Sequence, residues 1–214
     1  QLWRHVGGQI PADAVSNRLY RAASGEVRAT AEDTKMEFGC MPPPDFGDLE
    51  LARYLAPEPT LPFELSRGCY WGKCKFCGHP GLVSARRSDF QMASGEASLA
   101  KWAAVRKQTG ALAFYMVDPA VPPSTLKALA RALKDQPRDN LIFSCVTRME
   151  PPFDDADFCR DLADIGCRKL WFGHETVSDR VLNRMGKWPT SFANHRDRTI
   201  QVMRNLSQAG IGVH

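Results

Sequence analysis

Between positions 65 and 79 the chain reads Leu65-Ser66-Arg67-Gly68-Cys69-Tyr70-Trp71-Gly72-Lys73-Cys74-Lys75-Phe76-Cys77-Gly78-His79. Three thiols in one short loop are soft ligands, suited to zinc or to an iron-sulfur cluster. Gly68, Gly72 and Gly78 let the backbone wrap tightly round a bulky centre. Ferredoxin-type clusters take four cysteines and this loop offers three, Cys69, Cys74 and Cys77, which leaves one iron open. A molecule bound at an open iron can receive an electron directly. The competing reading is a zinc-stabilised, non-enzymatic binding module in which His79 completes a Cys3His knuckle. Structural zinc sites usually draw their ligands from two separated segments, whereas these four residues share one.

The elements that must hold this loop repeat from residue 60 onward as a short apolar run, a turn and an amphipathic stretch. The apolar runs are Leu61 to Leu65, Ala111 to Val117, Leu141 to Val146, Lys169 to Phe172, and a last one from Ile211. Helical patterns fall at Ala93 to Gln108, Ser124 to Lys134, Asp155 to Ile165, Asp179 to Met185 and His195 to Ala209, with Ser124 and Asp154 or Asp155 as N-caps. Strands alternating with helices of this length predict βα units on a parallel sheet, as an α/β barrel or an open α/β sheet. In a barrel, the loops after the strands form the active face. Arg67, Asp118, Thr147 with Arg148, and Glu175 stand at the first four predicted strand ends.

The cysteine loop resembles the motif of radical S-adenosylmethionine (SAM) enzymes. Four residues rather than the usual three separate the first two cysteines, and Ser-Arg-Gly-Cys-Tyr-Trp-Gly-Lys-Cys-Lys-Phe-Cys is similar to the variant in the subgroup with an N-terminal cobalamin-binding-type domain. The resemblance runs from about Asn17 to the end. It includes Asp45-Phe46, Leu61-Pro62-Phe63, Phe114 to Pro123, and Gly173-His174-Glu175-Thr176 followed by Met185-Gly186-Lys187. It implies a partial (β/α) barrel of the radical SAM type, of about four βα units and cut short, preceded by a short β-hairpin. It also implies a [4Fe-4S] cluster on Cys69, Cys74 and Cys77, whose open iron chelates SAM. By the same resemblance Asp118 binds the SAM amino group, with Pro119 where the family has a second acid. Glu175 makes a polar contact to the cofactor and Phe76 lies near the adenine; Arg148 is a candidate for neutralising the SAM carboxylate. The implied partners are a flavodoxin- or ferredoxin-type one-electron reductant and an unidentified substrate. Cobalamin and radical methyl transfer are suggested by kinship alone.

Composition narrows the remaining choices. Of 214 residues, 43% are hydrophobic and 24% charged, ordinary proportions for a folded domain. The net charge of +4 is scattered, without the concentrated basic face of a nucleic-acid binder. No apolar stretch approaches the ~20 residues of a membrane span, and no secretory signal is evident. Seven cysteines, three of them crowded together, fit reduced thiols and a cytoplasmic location better than a disulfide framework. Cys40, Cys145, Cys159 and Cys167 are expected as small buried residues. The expected domains are residues 1–45, the trailing edge of the cobalamin-binding-like domain with a Pro42-Pro43-Pro44 linker, and residues 46–214, an incomplete radical SAM core. Within the former, Val15 to Arg21 and Val27 to Thr30 flank a turn and predict a hairpin that needs a neighbour to be stable.

Overall fold

The computed structural model describes residues 2–30, 37–78, 90–134, 140–187 and 194–214. The chain forms two compact units, Gln1–Glu37 and Phe38–His214. In the first, helix α1 (Leu2–Val6) precedes an antiparallel hairpin of β1 (Leu19–Arg21) and β2 (Val27–Ala29). The hairpin starts later than the alternation from Val15 suggests, because Asn17 adopts φ 55° and breaks the extended run.

The second unit carries the βα repeat. In chain order it comprises β3 (Thr60–Phe63), β4 (Ser66–Arg67), β5 (Gln91–Met92), α2 (Gly95–Thr109), β6 (Ala113–Val121), α3 (Pro123–Leu133) and β7 (Ile142–Thr147). There follow α4 (Ala156–Asp164), β8 (Cys167–Phe172), α5 (Asp179–Met185), α6 (His195–Gln208) and β9 (Gly212–Val213). Local signals set most boundaries. The Ser94 side chain accepts the Ala97 N–H at the start of α2, and the Asp155 side chain caps α4 through Asp157. Ser124 is not the N-cap of α3 that was expected: Pro122 takes that position and the helix begins at Pro123, where a fixed φ and a missing N–H cost nothing.

Strands β3, β6, β7, β8 and β9 form one sheet in that order, every pair parallel. Sequential order without reversal, the helices packing on one face, makes this a partial (β/α) barrel rather than a doubly wound sheet. On the helix-facing side Phe63, Phe114, Met116, Phe143, Cys145, Leu170 and Phe172 are buried with Leu126, Leu129, Leu162, Val202 and Leu206 of the helices. Trp102 of α2 anchors this core, its ring 5.8 Å from Phe63, 5.4 Å from Phe114 and 5.7 Å from Phe143. Alternate residues Tyr115, Ser144, Val146 and Trp171 line the other face and are only partly buried.

Two strand ends differ from expectation. The first parallel strand ends at Phe63, and Ser66–Arg67 instead pairs antiparallel with Gln91–Met92. Strand β6 runs on past Asp118 and Pro119 to Val121, with its register against β7 shifting between Met116 and Val121. Pro119 has no N–H for the ladder, so this stretch bulges and frees Asp118 for other partners.

Candidate functional site

The cysteine loop leaves β4 through Gly68 and Gly72, at φ 85° and 61°, where only glycine is unstrained. Cys69 and Cys74 are partly buried, Cys77 is exposed, and all three are free thiols. Burial pushes the Cys74 thiol above its usual range, the positive charges of Lys187 and Arg148 oppose this, and the Cys69 and Cys77 thiols reinforce it. Cys74 thus feels both of the other thiols of the loop and two cations. Among the described residues no three His, Cys, Asp or Glu side chains converge to hold a metal ion. A four-iron cluster asks the thiolates to gather round a cube rather than on a single ion, because each binds a different iron. His79, the fourth ligand of the zinc reading, lies outside the described residues.

A network of distant side chains docks the loop. The Trp71 indole donates to the Gly186 carbonyl at 2.7 Å, and the Lys75 N–H donates to the Met185 carbonyl at 2.8 Å. Gly186 caps α5 at φ 65°, and a Cβ there would lie 2.6 Å from the Lys73 carbonyl oxygen, so the close approach requires glycine. Arg148, 5% exposed, stacks its guanidinium 3.9 Å from the Trp71 ring centre. It donates to Glu150 at 2.9 Å and to the Lys187 carbonyl at 2.7 Å. Tyr70 donates to the same Glu150 oxygen at 2.8 Å. Burial, then the Glu150 charge, raise the Tyr70 phenol above its ordinary range and keep it protonated as that donor.

Asp118 sits beneath the loop, 2% exposed. Its carboxylate accepts from Ser66 N at 2.5 Å, Ser66 Oγ at 2.6 Å and Leu65 N at 3.1 Å. Burial raises its carboxyl above the ordinary value, and these hydrogen bonds oppose that shift. Glu175, three residues beyond β8, adopts φ 59°, unusual for a residue with a side chain. It pairs with Lys187 at 2.9 Å, and the Lys187 ammonium also stands 5.6 Å from the Phe76 ring centre.

The structure therefore gathers Phe76, Arg148 and Glu175 round the cysteine loop, with Asp118 under its approach. Sequence reasoning missed the work of Tyr70, Glu150, Gly186 and Lys187; all but Glu150 fell in a quoted run, yet nothing local announced their partners. Cys145, Cys159 and Cys167 are buried as expected, and burial pushes Cys159 to about 11 and Cys167 to about 12. Cys40 departs from expectation and is exposed, because its short 3-10 turn lies at the surface.

The profile of the radical SAM superfamily matches residues 63–214. This chain belongs to the radical SAM superfamily. Membership implies a [4Fe-4S] cluster and SAM as cofactors, and the loop's donor set of three free thiols beside two cations fits such a cluster. None of the curated proteins matches the chain. Among solved structures it is similar to OxsB, described as a cobalamin-dependent S-adenosylmethionine radical enzyme with aqua-cobalamin bound. The TM-score is 0.70 at 22% identity, covering 100% of this chain and 31% of that one. It is also similar to TsrM from Kitasatospora setae, a radical S-adenosylmethionine methyltransferase with cobalamin and a [4Fe-4S] cluster bound. There the TM-score is 0.63 at 16% identity, over 99% of this chain and 42% of that one. These likenesses show the fold, and this radical SAM chain spans less than half the length of either protein. Among the described residues no helix is long and apolar enough to cross a membrane.

Proposed function

We propose that this chain forms the cluster-bearing part of a radical SAM enzyme, with Cys69, Cys74 and Cys77 as the cluster ligands. When bound, the cluster would supply one electron to SAM, giving methionine and a 5′-deoxyadenosyl radical that abstracts hydrogen from a substrate. The observation that carries this reading is the free three-thiol loop, docked on the Gly186 cap of α5 and on Arg148 and Glu150 beyond β7, with the positive charges of Lys187 and Arg148 acting on Cys74. The two cations offset negative charge on the thiolates. Glu175, beside the loop, and Phe76, within it, are the proposed contacts for the cofactor's polar and adenine parts. Asp118 has its carboxylate committed to Leu65 and Ser66. This favours a positioning role, holding the backbone that enters the loop, over a direct contact to the SAM amino group. Arg148, pinned between Trp71, Glu150 and Lys187, fits the same role.

The proposed setting is a reducing cytoplasm, with a flavodoxin- or ferredoxin-type donor. A cobalamin-dependent methyl transfer is the finer proposal, resting on the likeness to OxsB and TsrM. Anaerobic reconstitution of the complete protein with iron and sulfide tests the core of it. Four irons per chain, lost in C69A, C74A and C77A and kept in C40A, together with 5′-deoxyadenosine formed from SAM under dithionite, support the reading. A colourless protein with one zinc, or iron content unchanged in the three variants, overturns it.

A further inference from the structure

We propose that Lys187 is a charge-setting positioning residue, whose ammonium makes the cluster on Cys69, Cys74 and Cys77 easier to reduce. The inference rests on the cluster reading above and extends it to a residue outside the cysteine motif. Lys187 follows the Gly186 cap of α5, and its side chain is 13% exposed. Three features hold the ammonium in place. Gly173, just beyond β8, provides the seat, since a Cβ there would lie 2.5 Å from Nζ. Glu175 supplies the counter-charge at 2.9 Å, its φ of 59° turning the backbone where few side-chain-bearing residues go. Phe76, between two of the cysteines, presents its ring 5.6 Å from Nζ. The ammonium thereby joins the end of the fourth sheet strand to the cysteine loop.

Electrostatics fixes the direction of the effect. One electron from a low-potential donor enters the cluster, no bond is made or broken, and the site becomes one charge more negative. A fixed cation nearby stabilises that reduced form more than the oxidised one. Removing Lys187 deletes this cation and leaves the Glu175 carboxylate uncompensated, a net loss of one positive charge that disfavours reduction. Arg148 cannot stand in fully, since it is held by Glu150 and the Lys187 carbonyl.

The test is a mediated redox titration of the reconstituted complete protein, followed by electron paramagnetic resonance. At the potential where the wild type is half reduced, K187M should show a reduced-to-oxidised ratio lower by about tenfold, ~59 mV for a one-electron couple. K187R keeps the charge and should stay close to wild type. G173A keeps every charge but displaces the ammonium, and should fall between the two. A K187M or G173A protein with full iron content and an unchanged ratio overturns the proposal; should K187M load iron poorly, G173A decides. A wild-type protein that takes up no cluster sinks the functional reading itself, an outcome distinct from a cluster indifferent to Lys187.

Discussion

Gly186→Ala isolates the contact that docks the cysteine loop. A residue with a Cβ at φ 65° costs ~1–2 kcal/mol in the left-handed region, and here the new Cβ would lie 2.6 Å from the Lys73 carbonyl oxygen. Backbone cannot swing aside as a side-chain tip can, so the loop must move. Its Trp71 bond to the Gly186 carbonyl and Lys75 bond to the Met185 carbonyl are then weakened, at ~0.5–1.5 kcal/mol each. The expected total is about 2–5 kcal/mol. Gly110 is the internal control. It caps α2 at φ 70°, and a Cβ added there would meet nothing within 4 Å, so G110A carries only the backbone cost. Urea unfolding of the apoprotein should place G186A below G110A by at least ~1 kcal/mol. Iron uptake on reconstitution should drop in G186A alone. Equal stabilities for the two variants, with equal iron contents, would refute the argument that close approach at Gly186 positions the loop.

Three further outcomes are expected. Arg148→Leu leaves Glu150 and the Lys187 carbonyl without their guanidinium, and should cost ~3–5 kcal/mol in urea unfolding; a loss under ~1 kcal/mol would show the network to be idle. Asn205, 4% exposed, donates to the Phe153 and Asp154 carbonyls at 3.1 and 2.9 Å, so N205A should lower stability by ~2–4 kcal/mol, read as a shift in urea midpoint at constant slope. Because burial raises the Asp118 carboxyl above its unfolded value, its contribution is fully present at acid pH below the unfolded value and is lost as pH rises through the folded one. D118N should remove that part of the slope, and identical pH–stability slopes in wild type and variant across pH 3–7 (roughly the carboxylate range) would contradict the assignment.

The chemistry was legible because it is local. Cys69, Cys74 and Cys77 lie in one loop, and ligand type and spacing in such a run need no tertiary information. The βα repeat was legible for the same reason: periodicities of 2 and 3.6 residues placed α5 at Asp179–Met185 as expected and the other four helices of the repeat within about two residues at each end. The course of β6 was not, since whether a strand continues through Pro119 depends on what its neighbours offer, here Thr147 pairing opposite Val121.

What the sequence supplied by itself was the candidate ligand set and the order of elements, both written in short-range pattern. Only the tertiary structure decided which groups those elements bring to the loop. Trp71 meets Gly186 across 115 residues, Asp118 meets Ser66 across 52, and Lys187 settles over Gly173 against Glu175. Such pairings follow from strand register and from where a helix ends against the sheet. A side chain's own neighbours in the chain carry no record of them, because the contact forms only once the barrel wall has brought the two ends together.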